Sequence, residues 1–387
     1  MPLTFLHTAD WQIGKPFGSI TDPEKKVRLQ QHRLQTIEKL RSAIDTHQAQ
    51  LVLVAGDLFD SPSPTRSTVS SMFSAIGKLE VPVIAIPGNH DFGGPGGPWI
   101  QEFVQQEAAA LAPNFHILTK SEPLILDQAV ILPAPLMERM ETEDPTRWIR
   151  TAFDDHQLPN DRPRIVLAHG STQGFSSSGD EGSAAESNVL SLEHLPIDEL
   201  DYLALGDWHG TKQISNKAWY AGTPEIDRFP KGDDNDPGHV LVVTTERNTD
   251  PTVTTLPTST ARWHHIRYHF DLESDLAGLR GEFEEVVGTG ADEALLRLEL
   301  SGQLSLEQSL ELQNLLETWD ARLLRLKLSN HVTESPSDEE LEKLTARAED
   351  PLISRVATRL MEEADGDSEE AAAARLALRE LYQATLA

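Results

Sequence analysis

The chain has 387 residues, no cysteine and a formal net charge of −29, with 39% hydrophobic and 25% charged residues. Neither a disulfide framework nor a thiolate metal site can be built from it, no apolar run approaches the ~18 residues of a membrane span, and the charge is the reverse of the basic footprint that neutralises nucleic-acid phosphates. The length exceeds a usual single core and predicts two or three domains, and a start that runs straight into a strand predicts a cytoplasmic protein with no membrane association.

The first half alternates strand and helix patterns. Five apolar runs, at residues 3–6, 51–54, 83–86, 165–168 and 202–205, have the length and uniform hydrophobicity of buried strands. Between the first two, Val27, Leu34, Ile37, Leu40 and Ile44 recur at helical spacing over residues 24–47. Pro62 and Pro64 open a second helical stretch, residues 67–79. Residues 93–98 read Gly-Gly-Pro-Gly-Gly-Pro, an irregular loop that lacks the P-loop pattern and is expected to shape a cleft or simply to connect. Residues 171–188, rich in Ser, Gly and acidic side chains, predict a mobile rim loop. Trp219 and Tyr220 precede the turn Gly222-Thr223-Pro224-Glu225, and residues 239–245 and 252–256 predict two further strands.

Beyond residue 258 the pattern changes. Strands at 263–272, 294–300 and 323–328 with helices at 276–287 and 306–317 predict a small α+β module, in which His264 and His265 are expected to be structural or solvent-facing. After Ser335-Pro336 the chain turns helical and acidic, with 14 Asp or Glu against 6 Lys or Arg in residues 334–387. Pro351 and Gly366 should divide this segment into three helices. Its apolar stripes, among them Leu344, Leu352, Val356, Leu378 and Tyr382, predict either packing on the module or a docking face.

Each of the five buried runs leads into a polar cluster: Asp10-Trp11-Gln12, Gly56-Asp57-Leu58-Phe59-Asp60, Gly88-Asn89-His90-Asp91, His169-Gly170 and Gly206-Asp207-Trp208-His209-Gly210. In an open α/β sheet the ligand site lies outside the carboxyl ends of the strands, so these clusters should converge. Oxygen and imidazole donors without thiolate favour a hard or borderline divalent cation such as Mn²⁺. Asp57 can bridge two ions, with Asp10, Gln12 and His209 completing one shell and Asn89, His169 and Asp207 the other. Two ions about 3.5 to 4 Å apart can clamp the oxygens of a phosphate ester for in-line attack. His90, next to Asn89, should project beside the ions as a general acid for the departing alkoxide. Asp60 and Asp91 are expected to orient the imidazoles. Lys15, Arg66, Arg228 and Lys231 are the basic residues expected to line the cleft.

The order of these motifs resembles that of the calcineurin-like metallophosphoesterases, over roughly residues 3 to 230. More narrowly, FLHTADWQIGKPFG at residues 5–18 and AGDLFDSPSP at residues 55–64 look like the nuclease subunit of the SbcD and YhaO type. The resemblance implies an α/β fold: a four-layer β-sandwich flanked by helices at residues 1–258, a small α+β cap domain at 259–333 that helps to select DNA, and a C-terminal helical segment at 334–387. It implies a two-metal DNA phosphodiesterase, exonuclease or endonuclease, in DNA repair or clearance of foreign DNA. The partners implied are DNA, an SMC-like ATPase that docks on the C-terminal helices, and a second copy meeting through residues 67–79. Any ATP-driven step would come from that ATPase, because the chain has no Walker A motif.

Two positions depart from the family pattern, since Gln12 and Asp207 stand where histidines are usual. A neutral amide and an added carboxylate predict looser metal binding on one side and a harder, more anionic site on the other. The acidic charge favours an alternative small-molecule or cyclic-nucleotide phosphoesterase, and a phosphoprotein phosphatase would share the same centre. The altered ligands leave open a nonenzymatic scaffold with a degenerate metal site.

Overall fold

In the computed structural model the first apolar run is strand β1 (Leu3–Thr8), followed by helix α1 (Pro23–His47). Asp22 caps α1 by accepting from the backbone of Glu24 and Lys25, and Gln48 ends it in a left-handed conformation. Strand β2 (Leu51–Ala55), α2 (Arg66–Gly77), β3 (Val83–Ile86), α3 (Glu102–Leu111) and β4 (Phe115–Ile117) continue the alternation. Then come β5 (Leu124–Ile125), β6 (Val130–Ala134), α4 (Trp148–Asp155), β7 (Arg164–His169), β8 (Ser171–Thr172) and β9 (Val189–Leu190). Strands β10 (Tyr202–Gly206), β11 (Lys212–Gln213), β12 (Ala218–Tyr220), β13 (His239–Thr245) and β14 (Thr252–Pro257) complete this part.

The structure describes residues 2–155, 158–172, 187–229, 236–271, 276–334, 337–346, 350–366 and 368–386. Lys231, most of the rim loop expected at 171–188 and the Ser335-Pro336 boundary lie outside the described residues. The chain divides into two compact units, Met1–Ala261 and Arg262–Ala387.

The first unit is a sandwich of two six-stranded sheets, ordered β14-β13-β1-β2-β3-β4 and β11-β12-β10-β7-β6-β5. In the first sheet β1 to β4 run parallel, while β13 lies antiparallel to β1, with Leu3 opposite Thr245. In the second, β6, β7, β10 and β12 run parallel between antiparallel edges. Strand alternation explains the layering. Leu3, Phe5, Leu51, Leu53, Ile84 and Ile86 point inward against Ile131, Ile165, Leu167 and Tyr202 of the other sheet. Leu6, Val52, Val54 and Val83 point outward, where Ile37, Leu40 and Ile44 of α1 and Met72, Phe73 and Ile76 of α2 cover them. The second sheet's outer face is closed by Ile149, Leu158, Leu190, Leu195 and Leu200. Burial on both faces accounts for the unbroken apolar runs in the sequence. The α/β fold, multiple sheets flanked by helices, is as expected.

The second unit contains β15 (Arg262–Phe270), α5 (Leu276–Val286), β16 (Ala294–Leu304), α6 (Leu306–Arg322) and β17 (Arg325–Glu334). The module expected as α+β takes the form of a βαβαβ unit whose sheet, β15-β16-β17, is parallel throughout. Each helix is the crossover that parallel neighbours require. Leu296, Leu298 and Leu300 pack against Leu279, Phe283, Leu312 and Trp319, with the Phe283 and Trp319 rings stacked at 3.9 Å. On the same strand Glu299 pairs with His265 at 3.2 Å and Arg267 at 3.1 Å, so His265 belongs to a surface ion network. Three helices follow, α7 (Asp338–Thr345), α8 (Pro351–Glu363) and α9 (Glu369–Leu386). The buried Glu340 carboxylate accepts from the backbone N–H groups of Leu306, Glu307 and Ser337, tying α7 to the start of α6. Leu344, Ala357, Leu378 and Tyr382 close a small core on Leu306, so part of the C-terminal stripe is packed within the unit. No described helix is long and apolar enough to cross a membrane.

One buried group in the sandwich sets a pH limit. His7 donates from Nε2 to the Leu205 carbonyl at 3.2 Å and accepts at Nδ1 from the Tyr202 hydroxyl at 3.0 Å, both as a neutral ring. Burial pushes its pKa from 6.5 down to about 3, against the Leu205 bond. The unfolded chain binds this proton more readily, so stability is fully present above pH 6.5 and falls as pH drops toward 3. Between pH 7 and pH 5 the wild type should lose on the order of 2 kcal/mol through this residue. Urea unfolding of the wild type and His7→Leu at both pH values checks it; equal pH dependence in the two proteins would refute it.

Candidate metal centre

The polar clusters gather at the carboxyl edge of both sheets. Asp10, Asp57 and Asn89 follow β1, β2 and β3, His169 ends β7, and Asp207 follows β10. Asp10, Gln12, Asp57 and Asp207 all have positive φ, at 53°, 43°, 56° and 98°. Side chains other than glycine adopt this region at a cost, and such strain concentrates where geometry serves a site.

Backbone pairing holds the loops together. Asp10 N–H donates to the Gly56 carbonyl at 3.1 Å and Gln12 N–H to the Asp57 carbonyl at 2.9 Å. From α1 the buried Arg33 guanidinium donates to the carbonyls of Trp11 at 2.7 Å, Asp10 at 3.0 Å and Glu225 at 3.2 Å. A Cβ at Gly56, whose φ is +88°, would strike the His169 ring, and one at Gly88 would strike the Asp57 carboxylate. Those two glycines let the imidazole and the carboxylate approach.

Asp91 is a correction. Its carboxylate was expected to orient an imidazole, yet it accepts from the backbone of Gly88 at 2.8 Å, Leu58 at 2.9 Å and Phe59 at 3.2 Å. It clamps the second cluster to the third. Among the described residues Asp60 likewise contacts no imidazole with its carboxylate, although its carbonyl accepts from His90 Nδ1 at 2.8 Å. That bond turns His90 Nε2 away from Asp60, while the His90 N–H donates to Asp57 Oδ1 at 2.9 Å.

At the centre, electron-rich atoms face one another. Ligand atoms of Asp10, Asp57 and His169, all buried, lie within 4.8 Å of one another. His169 Nδ1 donates to the Ala55 carbonyl at 2.7 Å, which aims Nε2 inward, 3.7 Å from Asp57 Oδ1 and 3.8 Å from Asp207 Oδ1. The Asn89 amide oxygen stands 3.1 Å from His169 Nε2 and 3.2 and 3.3 Å from the Asp57 oxygens, so that acceptor faces acceptor at Asp57. Turned over, the amide would donate to Asp57; as it stands, its oxygen is one more donor atom that a cation could use. Burial, with Asp57 and Asp207 adding to it, pushes Asp10 up to about 6. Asp207 is pushed up for the same reasons, burial and then Asp57. Burial would lower His169, but Asp57, Asp10 and Asp207 outweigh it and raise the ring to about 9. A donor set that retains protons against its own crowding is one that exchanges them for a divalent cation. Asp10, Asp57, Asn89, His169 and Asp207 therefore fit a metal ion.

Gln12 and His209 are placed nearby but engaged otherwise. Gln12 Oε1 accepts from Lys15 Nζ at 2.6 Å, and Gln12 Nε2 lies 3.3 Å from His209 Nε2. His209 Nδ1 stands 3.2 Å from Asp227 Oδ2, and Lys15 Nζ stands 2.9 Å from the same oxygen. Although burial opposes it, Asp227 is held well below the usual carboxylate range by His209, Lys15 and Arg228. Of the basic residues expected in the cleft, Lys15 and Arg228 reach the centre, whereas Arg66 lies over the Phe103 ring, 4.5 Å from its centroid.

Arg33 and Asp227 escaped sequence reading. Arg33 carries a signal in retrospect, as a cation on the buried stripe that Leu29, Ile37, Leu40 and Ile44 mark out. Asp227 carries none, because only the fold brings it to Lys15.

The family model for calcineurin-like phosphoesterases matches residues 3–211. Among solved structures, one aligns with a TM-score of 0.42 at 14% identity, and TT1561 of Thermus thermophilus with 0.40 at 12%. Each covers 67% of this chain and 100% of its own.

Proposed function

As the chain belongs to the calcineurin-like phosphoesterase family, a class of metal-dependent phosphoester hydrolases, we propose that it is a phosphodiesterase acting on DNA in the cytoplasm, with Mn²⁺ as its working metal. The observation that carries the reading is the convergence of Asp10, Asp57, Asn89, His169 and Asp207 with His90 beside them. A bound divalent cation would supply Lewis-acid stabilisation of the phosphate and a more acidic water. Asp57 holds the His90 backbone in place, the Ala55 carbonyl fixes the His169 ring, and the Asp60 carbonyl fixes His90 with Nε2 available to a leaving oxygen. The choice of DNA rests on the motif segments at residues 5–18 and 55–64, which resemble those of repair nucleases. Repair or removal of foreign DNA would be its setting.

An SMC-like ATPase fits as a partner, because α8 leaves Leu352 at 71% and Val356 at 40% exposure, four residues apart on one face. Self-association through α2 is the other contact proposed. The charge of −29 favours a second reading, a phosphoesterase for small or cyclic nucleotides.

Cleavage of end-labelled linear DNA and of bis-p-nitrophenyl phosphate, each with Mn²⁺ and with chelator, separates the two. Mn²⁺-dependent release from DNA supports the nuclease. Hydrolysis of the small ester alone moves the small-molecule reading to first place, and hydrolysis of neither points to a scaffold or to an obligatory ATPase partner.

A further inference from the structure

We infer that the Lys15 ammonium stands where a second divalent cation would bind, so that the centre holds one exchangeable metal ion and one built-in positive charge. The inference rests on the phosphoesterase reading above and concerns its metal count.

The donor atoms at that position are already used. Lys15 Nζ donates to Gln12 Oε1 at 2.6 Å, and Gln12 Nε2 stands 3.3 Å from His209 Nε2. His209 Nδ1 then faces Asp227 Oδ2 at 3.2 Å, and that oxygen returns to Lys15 Nζ at 2.9 Å. Lys15, Gln12, His209 and Asp227 thus form a ring of polar contacts, closed at Asp227 Oδ2 by ion-pair distances and not by hydrogen bonds. Asp60 Oδ1, at 3.5 Å, adds a further oxygen beside the ammonium. Arg228, half exposed, brings Nε to 3.2 Å from Asp227 Oδ1 and a terminal nitrogen to 2.8 Å from His209 Nδ1, adding more positive charge on the same side.

A divalent ion entering here would meet an ammonium and a guanidinium, and would have to take the Gln12 oxygen and the His209 Nε2 from partners they already have. The other side of the centre is built the opposite way. There Asp10, Asp57, Asp207, Asn89 and His169 face one another, and among the described residues no lysine or arginine donates to their side chains, Arg33 reaching the Asp10 backbone carbonyl instead. One half repels a metal and the other recruits it. The two departures from the family pattern, Gln12 and Asp207, then belong together: the first gives up a metal ligand to a lysine, and the second adds anionic charge to the single site that remains.

Manganese per chain, measured by elemental analysis and by titration calorimetry on the full-length protein, tests this together with the electron paramagnetic resonance spectrum. The wild type should bind one Mn²⁺ with the spectrum of an isolated ion. Lys15→Met should raise the count toward two and introduce features of a coupled pair, while Lys15→Arg should stay at one. His209→Asn, made in the wild-type background, should change the affinity of the single ion less than about 3-fold, where loss even of a side chain that supports a ligand costs about 10- to 100-fold. Two ions in the wild type, or one ion in Lys15→Met with its circular dichroism unchanged, would overturn the inference. Should Lys15→Met fail to fold, the His209→Asn affinity and the wild-type count still decide. Zero bound manganese would instead overturn the metal-dependent reading itself.

Discussion

Asp57→Asn is expected to lower phosphodiester hydrolysis by on the order of 10³-fold, several kcal/mol of lost transition-state stabilisation. The carboxylate is buried beside His169, Asn89 and the His90 backbone, with Oδ1 at 3.7, 3.3 and 2.9 Å from them. Asparagine has the same shape and can keep the bond from His90 N–H, so the local fold should persist while a full negative charge leaves the centre. The metal-free variant should unfold close to the wild type, because relief of the repulsion with Asp10 and Asp207 is offset by loss of the attraction that holds a proton on His169, and the two proteins should part when metal binds. Thermal unfolding with and without Mn²⁺ checks both parts at once. The wild type should gain stability on adding metal and the variant should not; an unchanged metal-induced shift in Asp57→Asn would rule out Asp57 as the central carboxylate.

How much of this was legible beforehand follows from the range over which each signal acts. The five strands and their clusters are local features: an apolar run of a few residues followed at once by Gly-Asp, Gly-Asn-His or His-Gly has one place to go in an α/β sheet, and β1, β2, β3, β7 and β10 put it there. Helix α1 was legible from its stripe, and the breaks at Pro351 and Gly366 separate α7, α8 and α9 as expected. Short edge elements such as β5, β8 and β11, two residues each, have too few side chains to show a period. The parallel course of β15 to β17 was missed because the alternation on β16 fits either direction, and only the two crossovers decide it. At the centre, residue types were readable but partnerships were not. Asp91 sits in a metal-ligand motif and nevertheless serves backbone N–H groups. Lys15 and Asp227 lie more than 200 positions apart in sequence and meet only because β1 and the segment after β12 end at the same edge.

His90→Ala should separate its chemical role from its position. The ring is anchored by the Asp60 carbonyl at 2.8 Å and the bond to Asp57 runs through the backbone N–H, which alanine keeps, so metal affinity should stay within about 3-fold of the wild type, where loss of a side chain that orients a ligand costs about 10-fold or more. What should be lost is proton donation to the departing oxygen, typically worth 10²- to 10⁴-fold. That loss depends on how badly the leaving group needs a proton. A deoxyribose alkoxide is strongly basic and should show the full effect in DNA cleavage. A p-nitrophenolate leaves readily without help, so hydrolysis of bis-p-nitrophenyl phosphate should fall less than about 10-fold. The ratio of the two losses is therefore the diagnostic quantity, measured as kcat on both substrates under saturating Mn²⁺. Equal losses on both would mean that His90 contributes by holding the phosphate, since binding of a non-bridging oxygen does not distinguish one leaving group from the other. A large loss on DNA alone places the proton on His90 Nε2, the atom that its anchor to Asp60 leaves free.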